Sequence, residues 1–137
     1  MQIIATEFQL QGCRCRLKFD PKELQQLLVQ RLEGRFAKDK KLKNSDKDTM
    51  SVSGRFLEID EGNLALHIML AFLGKPKIAC EAEVKVDDKI LWKEPIEFST
   101  SGTCFHSMRA LLKSDIDLLA NDILKRTTKA LKNKQRI

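Results

Sequence analysis

Residues 77–98 read KIACEAEVKVDDKILWKEPIEF, and this stretch decides the fold. In its first half Ile78, Cys80, Ala82, Val84 and Val86 are apolar at every second position, with Lys77, Glu81, Glu83 and Lys85 between them. Side chains of a strand alternate faces, so this spacing predicts a strand over 77–87 with one face packed and one wet. Asp87-Asp88 supplies turn chemistry. A second strand over 89–98 follows, with Ile90, Trp92, Ile96 and Phe98 expected to face inward. Two adjacent alternating strands joined by a tight turn predict an antiparallel hairpin.

Upstream, residues 50–60 predict another strand with Gly54 inside it. Asp60-Glu61-Gly62-Asn63 then turns the chain into a strand over 64–73, and Gly74-Lys75-Pro76 turns it again. Strand 64–73 is apolar on both faces: Leu64, Leu66, Ile68, Leu70 and Phe72 on one, Ala65, Met69, Ala71 and Leu73 on the other. That pattern predicts a central strand, or one covered by a partner. Residues 38–48 are charged and aperiodic and read as a loop.

Further upstream, Asp20-Pro21-Lys22-Glu23 predicts a helix start, with Asp20 capping, Pro21 in the first turn and Glu23 completing a capping-box-like pattern. Leu24, Leu27, Leu28, Leu32 and Phe36 continue it as one apolar stripe ending near residue 37. Residues 1–19 read as strand whose alternation changes phase at Gln11-Gly12, which requires a bulge, bend or turn. At the other end a long helix is predicted over about 105–132. Met108, Leu112, Ile116, Leu119, Ile123 and Leu131 form its stripe, widened by Leu111, Leu118 and Leu124. The order β-α-β-β-β-β-α predicts a single α+β domain over 1–137: two layers, a mostly antiparallel sheet of about five strands with two helices on one face.

Composition agrees. The chain has 137 residues, 42% apolar and 32% charged, which fits one globular domain able to fold without metal or disulfide. No uncharged apolar run approaches the ~20 residues of a membrane-spanning helix. The start, MQIIATEFQL, lacks a basic region and a small-residue cleavage site and does not read as a signal peptide. Lys plus Arg number 25 against 19 acids. Lys125, Arg126, Lys129, Lys132, Lys134 and Arg136 account for the excess, so the basic character belongs to the C-terminal helix end.

The segment GRFLEIDEGNLALHIMLAFLGKPKIACEAEVKV, residues 54–86, resembles a family of bacterial envelope proteins, mostly outer-membrane lipoproteins catalogued as a domain of unknown function. The resemblance lies in Gly54-x-Phe56, then Ile59-Asp60-x-Gly62-Asn63, and in the turn glycine Gly74. His67 stands where the family tends to have Arg, and its turn is richer in Gly than residues 72–75 here. The resemblance implies a cell-envelope location (periplasm or outer membrane), whereas the start of the chain leaves a cytoplasmic one open. It implies no catalysis and no cofactor. Asp60, Gly62, Asn63 and Gly74 are expected to serve turn geometry.

The residues offer three chemistries. Cys13, Cys15, Cys104 and His106 are a conceivable zinc set, but Cys-x-Cys is not the usual ligand spacing. The expectation is no metal, with the cysteines acting as small apolar residues. A disulfide between Cys13 and Cys15 is not expected, because neighbours on one strand face diverge. Cys104 with His106 is the one catalytic pairing, with Asp115 and Asp117 as available acids. No motif assembles a nucleophile, base and oxyanion site, so no enzyme and no cofactor is expected. The basic tail could track nucleic-acid phosphates, but no aromatic residues interleave with it as stacking platforms, and a solvated helix end is favoured. The leading expectation is a structural or protein-interaction domain of an envelope-type protein, with a protein partner or copies of itself. The alternative is a cytoplasmic domain that binds nucleic acid through the tail.

Overall fold

The computed structural model describes residues 2–39, 49–62, 75–99 and 108–135. Among these the elements are β1 (Gln2–Gln9), β2 (Arg14–Arg16), α1 (Lys22–Lys38), β3 (Thr49–Asp60), β4 (Lys77–Val86), β5 (Lys89–Phe98) and α2 (Met108–Gln135). The fold is α+β, with five strands in one sheet and both helices on one face of it. The expected strand 64–73 lies outside the described residues.

The sheet order is β1-β3-β4-β5, with β2 also pairing β3. β3–β4 and β4–β5 are antiparallel. β1 and β2 run parallel to β3, on the same side of it. The intervening helix is the reason: chain that leaves a strand, crosses one face as a helix and returns beside that strand arrives parallel to it.

β1 and β2 are one strand interrupted. Pairing stops at Gln9↔Arg55 and resumes at Arg14↔Glu58. The interruption is a turn at Gln11-Gly12, closed by the Cys13 N–H donating to Leu10 O at 3.0 Å. Gly12 has φ +80°, a conformation that side chains resist. At the same level β3 carries a bulge at Leu57: Phe56 pairs with Cys80, and Glu58 already with Ala79. Both strands therefore change phase together. This is the physical content of the phase switch in residues 1–19, and it lets Phe56 and Ile59 both face the core.

A second bulge, at Leu91, corrects the reading of β5. Val84 pairs with Trp92, but Lys85 pairs with Ile90. The extra residue turns Ile90 to the side of Lys85, and it is 59% exposed where it was expected inside. Leu91 packs against the core instead. The turn between β4 and β5 places Asp87 and Asp88 at φ 52° and 67°, the positive values that short hairpins demand.

The core is one layer. From α1 it takes Leu24, Leu28, Leu32 and Phe36, and from the sheet Phe8, Met50, Val52, Phe56, Ile59, Ile78, Cys80, Ala82, Val84, Val86 and Ile96. From α2 it takes Leu112, Ile116, Leu119, Ala120 and Ile123. Each large side chain buried here contributes roughly 1.5–3 kcal/mol. Leu118, expected to widen the stripe of α2, is 42% exposed. At the start of α1 the Lys22 N–H donates to Asp20 Oδ1 at 3.0 Å, the expected cap. Glu23 does not close a capping box; it pairs with Arg109 and Lys113 of α2. Arg31 pairs with Asp117 at 2.9 Å and Arg35 at 3.5 Å. The paired positions ascend together, so the helices run side by side in the same direction.

Candidate interaction surfaces

The face of the sheet opposite the helices carries charge in alternating rows. Lys77 of β4 lies 3.4 Å from both Glu58 of β3 and Glu97 of β5. Lys93 lies 3.7 Å from Glu81 and from Glu83, Lys85 lies 3.3 Å from Glu83, and Arg55 lies 3.9 Å from Glu81. The carboxylates beside Lys77, Glu58 foremost, hold its amine above the ordinary lysine range. These pairs are partly exposed and screened by solvent, so each contributes little to the fold. A shallow groove lined by Glu7, Gln9, Ser53, Arg55, Glu81 and Glu83 crosses this face over Gly54. Gly54 matters to packing: a Cβ there would lie 2.2 Å from Glu81 O and 2.8 Å from the Phe8 ring.

Among the described residues β1 and β5 border the sheet, and the two differ. On β1 the Gln25 side-chain amide donates to Phe8 O, so part of that edge is satisfied from α1. β5 carries Pro95 and the exposed Lys89, Lys93, Glu94 and Glu97, features that discourage edge pairing. β5 is tied to α2 by Trp92 Nε1–H, which donates to Thr127 Oγ1 at 3.0 Å. Thr127 is fully buried and donates in turn to Ile123 O at 2.7 Å. Sequence reading missed this pair, because a threonine inside a basic helix end gives no sign of a partner 35 residues away.

The basic helix end is real helix as far as Gln135. Arg126 pairs with Glu94 and with Asp122, the latter at 2.7 Å, so it is partly spent within the fold. Lys125, Lys129 and Lys132 are exposed and recur at helical spacing along one stripe. Nothing is described of the Lys134 side chain, and Arg136 lies outside the described residues.

Of the turn motif, Asp60 Oδ1 accepts the Gly62 N–H at 2.8 Å, and Gly62 has φ +83°. This is an Asx turn, in which the carboxylate serves backbone geometry. Asn63 and Gly74 lie outside the described residues, as do His67, Cys104 and His106. The acids near the turn are engaged: Glu58 with Lys77, and Glu61 accepting the Lys18 N–H at 3.0 Å. Asp115 is buried in α2, and Asp117 is held by two arginines.

The cysteines divide. Cys80 is buried in the core, and burial pushes its thiol up to about 12. Cys15 is exposed, contrary to its expected apolar surroundings, and Cys13 is half-buried. Their sulfurs lie 3.0 Å apart, Cys15 donating to Cys13, closer than the expected divergence. Among the described residues no group of three or more His, Cys, Asp or Glu is placed to hold a metal, and no helix is long and apolar enough to cross a membrane.

None of the curated proteins is significantly similar to this chain. Several solved structures share the fold. Protein XCC0632 from Xanthomonas campestris, of family DUF330, aligns over 98% of this chain and 90% of its own at 10% identity and TM-score 0.59. The hypothetical protein CT253 from Chlamydia trachomatis aligns over 94% and 98% at 13% identity and TM-score 0.52. PelC from Paraburkholderia phytofirmans, a dodecamer, aligns over 82% of each chain at 11% identity and TM-score 0.50. At such identities the likeness is one of fold. The sequence match is more specific, and through residues 14–108 the chain belongs to the family described as Domain of unknown function (DUF4410).

Proposed function

We propose that the chain is a non-enzymatic protein-interaction domain of a bacterial envelope-type protein, and that it assembles with copies of itself. One observation carries the reading. The outer face of the sheet presents rows of amines and carboxylates (Lys77, Lys93, Lys85 against Glu58, Glu81, Glu83, Glu97) on a rigid, evenly spaced surface. Such a surface is complementary to itself when a second copy is turned against it, and the ion pairs then exchange partners across the contact at little cost. The dodecamer of PelC, a chain of this fold, and the resemblance of residues 54–86 to envelope proteins support it. The engagement of Asp60, Glu58, Glu61 and Asp117 in structural contacts supports a non-enzymatic role.

The test is sedimentation of the native chain over a wide concentration range, beside Glu81→Lys/Glu83→Lys. The native chain gains mass with concentration and the double variant gains less. A native chain that stays monomeric at the highest attainable concentration overturns self-assembly.

A second reading has one observation in its favour: Lys125, Lys129 and Lys132 form an exposed stripe on α2. Under it the tail contacts nucleic acid. Replacing the three lysines with glutamate then abolishes salt-sensitive binding to a duplex, and unchanged binding excludes the tail as the contact.

A further inference from the structure

Residues 10–16 place two thiols side by side on a strand that borders the sheet among the described residues. The turn at Gln11-Gly12, closed by the Cys13 N–H on Leu10 O, brings Cys13 out beside the first residues of β2. The two side chains then project together, with Cys15 Sγ–H donating to Cys13 Sγ at 3.0 Å. We propose that Cys13 and Cys15 are a thiol–disulfide couple that exchanges two electrons with a disulfide-bearing small molecule.

The geometry assigns the roles. Cys15 is exposed and meets the oxidant first. Cys15 thiolate attacks one sulfur of RS–SR; the Cys15–SR bond forms and the first RS⁻ leaves, taking up the proton that Cys15 gave to solvent. Cys13 then attacks Cys15 Sγ. The Cys13–Cys15 bond forms, and the second RS⁻ leaves with the proton of Cys13. The chain loses two electrons and the small molecule gains them as two RSH.

Two properties suit this order. Burial pushes the Cys13 thiol up to about 12, helped once Cys15 is ionised by the hydrogen bond Cys13 then donates to it and by its charge, while a backbone hydrogen bond at Ile59 acts the other way. Cys13 thus keeps its proton until Cys15 has been consumed, and the part of the shift that Cys15 supplies then disappears. Closure needs the sulfurs to approach from 3.0 Å to about 2.05 Å, a small side-chain movement. A bridge across one residue is strained, and strained disulfides are readily reduced, which suits a reversible couple over a permanent staple.

The probe is oxidised glutathione, applied to the full chain, followed by alkylation of remaining thiols and tryptic mass analysis without reduction. Trypsin cuts after Arg14 and Arg16, so the reduced chain yields Cys13 and Cys15 in separate peptides. The native chain is expected to convert to a joined species two hydrogens lighter than the pair, reversed by reduced glutathione. Cys13→Ser is expected to stop at a glutathione adduct on Cys15, and Cys15→Ser to leave Cys13 unreacted. A native chain that accumulates only the Cys15 adduct, or joins Cys15 to Cys104, overturns the proposal. So does a native chain that stays reduced while free dithiothreitol is oxidised. Far-UV circular dichroism of both variants checks that the fold is kept.

Discussion

Gly54→Ala tests the packing of the sheet at its centre. Gly54 lies in β3 opposite Phe8 of β1 and Ala82 of β4. An added Cβ would stand 2.2 Å from Glu81 O, about 1.2 Å inside the 3.4 Å of ordinary contact, and 2.8 Å from the Phe8 ring. A ring edge can swing aside, but the carbonyl belongs to the backbone of β4, held between β3 and β5. Forcing a methyl into a close-packed site costs about 1–3 kcal/mol, and displacing β4 weakens one or two ladder hydrogen bonds at about 1 kcal/mol each. A loss of about 3 kcal/mol is therefore expected, a large share of the 5–15 kcal/mol typical of a domain. For a chain of this size that lowers the melting temperature by about 10 °C. Thermal unfolding followed by far-UV circular dichroism reads it, with urea titration to check that the slope is unchanged. Adding Phe8→Leu is expected not to rescue Gly54→Ala, because the carbonyl contact remains. Melting within about 2 °C of the native chain refutes the argument.

Other perturbations probe other parts of the fold. Thr127→Val keeps the shape of a buried side chain but leaves Trp92 Nε1–H without its acceptor; a cost of about 1–2 kcal/mol is expected in the urea midpoint. Gly34→Ala is expected to act in the opposite direction. Gly34 is exposed in α1 with no atom within 4 Å of an added Cβ, so the midpoint should rise by about 0.5–1 kcal/mol. Glu23→Gln tests the contact between the helices through pH. The Arg109 guanidinium foremost holds the Glu23 carboxyl below its ordinary 4.5 in the folded chain; burial opposes it, and Lys113 adds a smaller pull downward. Its contribution is therefore present above pH 4.5 and is lost as pH falls through the lower folded value. The variant is less stable at neutral pH, and its stability falls less steeply than that of the native chain below pH 4.5.

The fold was legible where alternation and caps were clean. β4 shows its buried row directly, and α1 shows both its start at Asp20 and its stripe through Phe36. The antiparallel run of β3, β4 and β5 was legible from their alternation and turns, whereas the parallel pairing of β1 and β2 with β3 was not, because alternation in residues 1–19 tells which face is buried and nothing about which way the neighbour runs. The helix between β2 and β3 held that information. Bulges were the second source of error: one extra residue at Leu91 moved Ile90 to the outer face, and no residue type in KILWKEP marks the insertion. Glu23 shows a third: a local capping pattern gave way to two cations on a helix 86 residues further along. Of the candidate sites, the Asx turn at Asp60 was readable from composition. The approach of Cys13 to Cys15 was not, since it depends on the turn before them and on its match to the bulge in β3.

Trp92 is the chain's one tryptophan, and its indole bridges the last strand to the last helix through Thr127. Indole emission shifts to longer wavelength when the ring meets water, so the protein carries an optical gauge at a single known seam. If α2 lifts from β5 while the sheet persists, emission changes before the circular dichroism of the strands does. If the two signals move together, the seam and the sheet are one cooperative unit.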